Sequence, residues 1–361
     1  MRYCLELSHN SWTKENRTEA ASAVALTLDL IRSADRAGFE SAWLTEDPDG
    51  WDAFAVLGAV ARQTERIRLG SGVTNPFLRH PNLMAASVAT LDNLSGGRAF
   101  LGLGRGQPEW YRRALGMQVG SPLAALESAI DLLRQWWQPP HTARGRDPFP
   151  VNGWERTLIP LGTPPIYLAA TGPRALSLAG RLADGVRFNE LASPDYLRDA
   201  IATVRTSAET SGRDPAALSF FVHPSLVITD DPERELERKK TTVAFIHALP
   251  GMERQLKTPG IDVDRIMSEV RRHMRTEEVL ARGGGFAELR RAGDLAAAKS
   301  AIPLELIERV AIVGTAAHAR ARLRQLAAIG ATHVFLDLDS VARDGRAIDE
   351  LLTAIDLGRP D

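Results

Sequence analysis

The chain has 361 residues, 44% hydrophobic and 25% charged, with a net charge of −1. That is globular composition at a length ordinary for one α/β barrel, and so balanced a charge creates no field for nucleic acid or an anionic membrane. The single cysteine, Cys4, excludes an internal disulfide and a multi-thiolate metal site, and is expected to pack in the first strand.

The opening MRYCLELSHN lacks the apolar run of a signal peptide, and no stretch approaches the roughly 20 apolar residues of a membrane span. A soluble, cytoplasmic protein is expected. YCLELS (3–8) reads as a strand and SAVALTLDLIRSADRAG (22–38) as a helix stopped by Gly38. Strand ESAWLTE (40–46), helix 51–64, strand RIRLGSGV (66–73) and helix 82–97 follow, then strand RAFLGLG (98–104) and helical stretches up to Trp137. The polar, Pro-rich segment 138–165 reads as an irregular loop or small hairpin. Alternation resumes with strand IYLAA (166–170), helix 173–183, strand DGVRFN (184–189), helix 194–212 and strand SFFVHPSLVIT (219–229). Residues 232–309 are charged and mostly helical, with a break at Gly283–Gly285. A short apolar run (309–314), a helix, the strand THVFLDL (332–338) and a closing helix complete the chain.

About eight strand–helix units whose strands are continuous apolar runs predict a closed (β/α)8 TIM barrel, a single domain over 1–361 with a helical insertion near 230–300. An open dinucleotide-binding sheet would carry its glycines just after the first strand, yet YCLELSHNSW (3–12) has none. There is no GxxxxGK[ST] loop and no GxSxG elbow, and the eight histidines are too scattered for a helical HxxxH pair. In a barrel the reacting groups sit where strands end. Those ends carry Ser8-His9-Asn10, Thr45-Glu46-Asp47, Gly72-Val73-Thr74-Asn75, Gly104-Arg105-Gly106-Gln107, Thr171-Gly172-Pro173-Arg174 and Asn189-Glu190, and the seventh strand holds His223.

GLGRGQ (102–107) reads GxGxG and follows the fourth strand, so its small residues point to close approach of a planar ligand or its phosphate. In ATGPRALSLAG (170–180), Thr171 can cap the helix, Gly172 leaves amides exposed and Pro173 suits the first helical position. That helix start is an anion site with Arg174 beside it, or an ordinary capped helix. Glu46 and Asp47, adjacent on an extended chain, point opposite ways. One can face a ligand as acid, base or acceptor while the other faces the wall. Arg79 can hold an anion or a surface carboxylate, and His80 caps or packs before Pro81.

The stretch GVTNPFLRHPNLMAASVATLDNLSGGRAFLGLGRG (72–106) resembles a signature of the bacterial luciferase-like (β/α)8 superfamily. More narrowly it is similar to the coenzyme F420-dependent branch, which includes methylenetetrahydromethanopterin reductase. ATGPRALSLAGRLADGVRFN (170–189) is similar to the family's phosphate loop, and 310–338 to its C-terminal helix–strand unit. The resemblance implies a third-strand bulge with a cis peptide at Gly72–Val73, pressing on one face of a deazaflavin ring. It implies hydride transfer at C5 between F420 and a small organic substrate. Glu46, Val73, Thr74 and Gly106 would line the ring and ribityl chain, and Thr171, Gly172 and the amide at Arg174 would hold the phosphate. Gly72, Asn75, Gly104, Arg105 and Pro173 complete the cofactor set, and Arg79 would meet the acidic glutamyl tail. Glu46, Asp47 and Gln107 are the catalytic candidates. Some relatives place a histidine at the position of Asp47 and a glutamate at that of Gln107. Glutamine cannot donate as an acid, which favours a reductase needing little acid catalysis over a sugar-phosphate dehydrogenase. The alternatives are an FMN-dependent monooxygenase on the same barrel and a flavin- or deazaflavin-holding protein without catalysis. A homodimer is the family's habit.

Overall fold

The computed structural model describes residues 1–10, 19–342 and 348–356. Eight parallel strands close into a barrel: β1 (Arg2–Leu7), β2 (Ser41–Leu44), β3 (Arg68–Ser71), β4 (Ala99–Leu103), β5 (Ile166–Ala169), β6 (Gly185–Glu190), β7 (Ser219–His223) and β8 (His333–Leu336). Each pairs with its neighbour in sequence, and β8 closes on β1 with Arg2 opposite His333 and Leu5 opposite Leu336. Both strand faces are covered, hence the unbroken apolar runs.

The inner face is aromatic. Trp43 of β2 lies 4.4 Å from the Phe100 ring, 4.9 Å from Phe221 of β7 and 5.1 Å from Phe335 of β8. Strands β2 and β7 are not neighbours, so this contact crosses the interior. Cys4 and Tyr167 complete the cluster, and Cys4 is fully buried. Glycine makes room for the indole: a Cβ at Gly102 would stand 2.8 Å from the Trp43 ring and collide with the Ser71 carbonyl. On the outer face Leu5, Leu44, Leu69, Leu101, Ile166, Val186, Phe220 and Val334 pack under the helices.

Those helices are α1 (Ala20–Ala37), α2 (Ala53–Ala61), α3 (Pro81–Ser95), α4 (Pro122–Trp137), α5 (Pro173–Leu182), α6 (Pro194–Thr210) and, before β8, Ala316–Ala328. Gly38 ends α1 and Gly96 ends α3 with φ of 91° and 69°, the left-handed geometry that glycine adopts freely. The Pro-rich excursion contains an antiparallel hairpin, Thr142–Gly145 with Val151–Glu155.

The expected strand 219–229 is two strands. Pro224 has no N–H to continue the ladder, and Ser225 takes φ 52°. The chain leaves the barrel there, and Val227–Ile228 pairs instead with Val313–Gly314 outside it. The apolar run 309–314 therefore divides between the end of a helix (Leu304–Val310) and this outer strand. Between the two outer strands lie α7 (Pro232–Thr242), α8 (Val263–Met274), four shorter α-helices, a π turn and a 3-10 turn, with a core of their own around Leu236, Val243, Met267, Val270, Met274 and Leu306. Among the described residues no helix is long and apolar enough to cross a membrane.

Candidate active site

All eight strands run the same way, so their C-terminal ends share one rim. The bulge appears there as a register slip. Gly70 pairs with Phe100, but the next paired residue, Thr74, meets Leu103: four steps on β3 against three on β4. One extra residue is the definition of a bulge. The Gly72–Val73 peptide is cis. Thr74 then rejoins β4, its N–H donating to Gly102 O at 3.0 Å and its carbonyl accepting from Gly104 N at 2.8 Å. Val73 projects toward Gly104, where a Cβ would lie 2.6 Å from Val73 Cγ2.

Asn75 and Tyr111 lock the loops that follow. Asn75 Oδ1 accepts from the amides of Phe77 at 3.1 Å and Leu78 at 3.0 Å, an Asx turn before Pro76. The Tyr111 hydroxyl donates to Arg105 O and lies 3.4 Å from Asn75 Oδ1. Gly106 has φ 65°, and any Cβ there would collide with that hydroxyl. Tyr111 lies on a single π-helical turn, Trp110–Ala114, where the sequence predicts a helix.

Glu46 and Asp47 do point opposite ways. Toward β1, Asp47 Oδ2 accepts from Asn10 Nδ2 at 3.4 Å, and its other oxygen is 3.7 Å from His9 Nδ1. Toward β3, Glu46 is buried and closed in a clasp. Its oxygens accept from Thr74 Oγ1 at 2.5 Å, Arg79 Nε at 3.0 and 3.1 Å and Arg79 Nη2 at 2.8 Å. Arg79 also donates to Asp52 Oδ2 at 2.6 Å and Ser87 Oγ at 3.4 Å. Burial opposes its charge, but Glu46 and Asp52 outweigh it and hold its pKa above the usual value. The guanidinium expected to meet an acidic tail is thus committed within the protein. His80 caps α3, its Nδ1 accepting from Asn82 N at 3.2 Å. Arg105 is exposed and Gln107 half-buried, and the Gln107 side chain makes no hydrogen bond among the described residues.

At the end of β5 the helix cap is Gly172, not Thr171. Thr171 is occupied otherwise: its hydroxyl lies 3.9 Å from Met252 Sδ and its carbonyl accepts from the Tyr196 hydroxyl at 2.8 Å. Pro173 takes the first helical position as expected, and Arg174 is exposed. No side chain caps α5, whereas Asp52, His80, Ser121 and Ser193 cap α2, α3, α4 and α6. Its leading amides are left free for an anion.

Across the mouth stands a charged network that the strand-end reading did not assemble. Glu6 pairs with Arg187, and His223 sits between two carboxylates, Nδ1 3.4 Å from Glu6 Oε2 and Nε2 3.2 Å from Asp337 Oδ2. Only the Nε2–Asp337 contact has hydrogen-bond geometry, but a carboxylate beside each ring nitrogen favours the charged ring. Burial works against that charge, but Asp337 and Glu6 overcome it and push the His223 pKa up to about 10. Glu6 and Asp337 are held below the usual carboxylate range: burial opposes ionisation, and Arg187 and His223 for Glu6, Lys239 and His223 for Asp337, prevail. Period two was the available signal. Cys4, Phe221 and Phe335 face the interior, so Glu6, His223 and Asp337, two residues on, continue that face at the mouth.

The luciferase-like monooxygenase family model matches residues 7–333. The 5,10-methylenetetrahydromethanopterin reductase of Methanolobus tindarius is 29% identical over 303 residues, 83% of this chain and 86% of its own. A provisionally named coenzyme F420-dependent oxidoreductase of Mycobacterium tuberculosis is 30% identical over 323 residues, covering 84% of this chain and 88% of its own. Among solved structures, the coenzyme F420-dependent tetrahydromethanopterin reductase of Methanopyrus kandleri superposes with a TM-score of 0.72 at 22% identity, over 98% of this chain and 96% of that one.

Proposed function

The chain belongs to the luciferase-like monooxygenase family, and we propose that within it this protein is a coenzyme F420-dependent oxidoreductase acting on a small organic substrate. The reading rests on the F420-dependent relatives that match most of its length. The site observation that carries it is the β3 bulge, which sets Val73 beside the bare backbone of Gly104 at the barrel mouth.

The residues present fit such a cofactor. Gly104 offers backbone without a side chain where a flat ring has to approach. The uncapped amides at the start of α5, with Arg174 beside them, suit a phosphate. Bound F420 supplies C5, the carbon that gives or receives the hydride. The protein's part would be to seat the ring against Val73 and Gly104, with Glu6, His9 and His223 on the same rim available to substrate. The charges there are paired within the protein, as in Glu6 with Arg187 and Asp337 with His223. That pairing suits a substrate without a phosphate group better than a sugar phosphate.

The test is parallel titration with F420 and with FMN, following ring fluorescence. Saturable F420 binding with weak FMN binding is the expected result. Tight FMN binding with no response to F420 would overturn the assignment.

A further inference from the structure

Glu46 and Arg79 stand where an acid and a tail-binding cation are expected, yet they pair with each other and with side chains around them. Of the five N–H groups of arginine, Nε–H and one Nη2–H go to Glu46, the other Nη2–H to Asp52 and one Nη1–H to Ser87. Glu46 Oε1 takes Arg79 alone, and Oε2 takes Arg79 and the Thr74 hydroxyl. Glu46 is 7% exposed and Thr74 is fully buried. Arg79 also stacks over Phe54 of α2, 4.9 Å from its centroid. Asp52 is itself the cap of α2, accepting from Ala55 N at 3.0 Å, and Ser87 lies on α3.

The geometry points to a brace: Glu46 and Arg79, through Thr74, are positioning residues that set the β3 bulge against β4, α2 and α3. In this arrangement Glu46 carries no proton in the reaction and Arg79 binds no cofactor tail. The inference rests on the F420 reading for what the bulge supports. The physical argument is local. Thr74 is the residue that returns the chain to β4 after the slip, and its backbone makes both hydrogen bonds of that return. The same residue is tied through its hydroxyl to a two-point ion pair anchored on two helices. Fixing Thr74 therefore fixes where Val73 stands. A lysine at position 79 provides charge without the fork and cannot span Glu46 and Asp52 in the same way.

Three variants, Thr74→Val, Glu46→Gln and Arg79→Lys, are compared with the parent chain in two measurements. The first is amide hydrogen exchange of the cofactor-free protein over residues 72–78 and 102–106. The brace predicts faster exchange in all three variants, confined to these segments and α2. Unchanged exchange overturns it, whatever the cofactor. The second is fluorescence titration with F420 and with its tail-less core, the same deazaflavin and ribityl chain without phosphate, lactate or glutamate. The brace predicts that each variant weakens both ligands by a similar factor, about tenfold, the scale of one lost hydrogen bond to a charged group. Loss confined to F420 in the Arg79 variant, with the core unaffected, would show that Arg79 reads the tail and would overturn the inference. A Glu46→Gln protein with parental exchange and parental affinities would likewise overturn it. A parent chain that binds neither ligand defeats the F420 reading and leaves the exchange measurement to decide the brace. Thr74→Val, nearly isosteric, keeps the test open should either ion-pair variant fail to fold.

Discussion

His223 is the residue whose surroundings dictate its chemistry most plainly. A carboxylate beside each ring nitrogen favours the imidazolium, and, although burial opposes the charge, Asp337 and Glu6 push the pKa up to about 10 from 6.5. A pKa raised by folding stabilises the protein fully below the unfolded value, and that stabilisation is lost as pH climbs through the folded one. Thermal melts of the parent chain should therefore fall between pH 7 and about 10, and His223→Gln should flatten that limb. Melts with the same alkaline slope in both proteins would contradict the imidazolium. Glu6 and Asp337 act in the opposite sense, because their pKa values are depressed. Their contribution is present above the ordinary carboxylate range and is lost as acid protonates them. Asp337→Asn should thus reduce the acid sensitivity of the melt while lowering stability at neutral pH, since it strips a buried charge of its partner. Of these residues the strand-end reading named only His223. Glu6 and Asp337 are 331 positions apart in a 361-residue chain, and only barrel closure brings β1 beside β8.

At the level of elements, the strand-to-helix pattern was readable because each strand is a short apolar run and each helix has a start or stop residue. Gly38 and Pro173 fell where the sequence placed them. What misled was continuity. SFFVHPSLVIT is apolar on both sides of Pro224, and hydrophobicity does not reveal that the second half belongs to a different sheet. Thr171 likewise looked like a cap by residue type, but its carbonyl is held by Tyr196 and Gly172 takes the cap. The β3–β4 pair makes a direct prediction. Gly104→Ala puts a methyl 2.6 Å from Val73 Cγ2, so Val73 or the bulge must move. Affinity for F420 should drop about tenfold or more, with a small change in stability, as overpacking typically costs about 1–3 kcal/mol. Parental affinity in Gly104→Ala would show that Val73 does not set the ring's seat.

For the whole molecule, two contacts matter beyond the barrel wall. The first is the aromatic interior. Trp43 is fully buried and touches rings from four other strands. Trp43→Ala should cost about 3–5 kcal/mol in denaturant unfolding, the usual range for an emptied aromatic site. The second joins the insertion to the β4 loop. Arg112 donates to Gly283 O at 2.6 Å, and Arg113 pairs with both Glu109 and Glu288. A Cβ on Gly285 would collide with the Glu109 carboxylate. Gly285→Val should loosen this contact, raising hydrogen exchange both in 283–288 and in 109–114. Exchange raised on the insertion side alone would mean that the two segments do not hold each other.

The sequence by itself determined the barrel and its eight strands in order, because these depend on local periodicity and on residues that punctuate the chain, whereas the bulge was expected only from the resemblance of residues 72–106 to a known family. It also placed Glu46 and Asp47 on opposite sides of one strand end, since alternation is a local rule. Only the tertiary structure decided what each of those side chains meets. Charge pairing depends on distance in space, and the partners of Glu46, His223 and Asp337 come from other strands and helices. That is why the sequence left Arg79 open between an anion and a surface carboxylate, while in three dimensions its guanidinium donates to Glu46, Asp52 and Ser87.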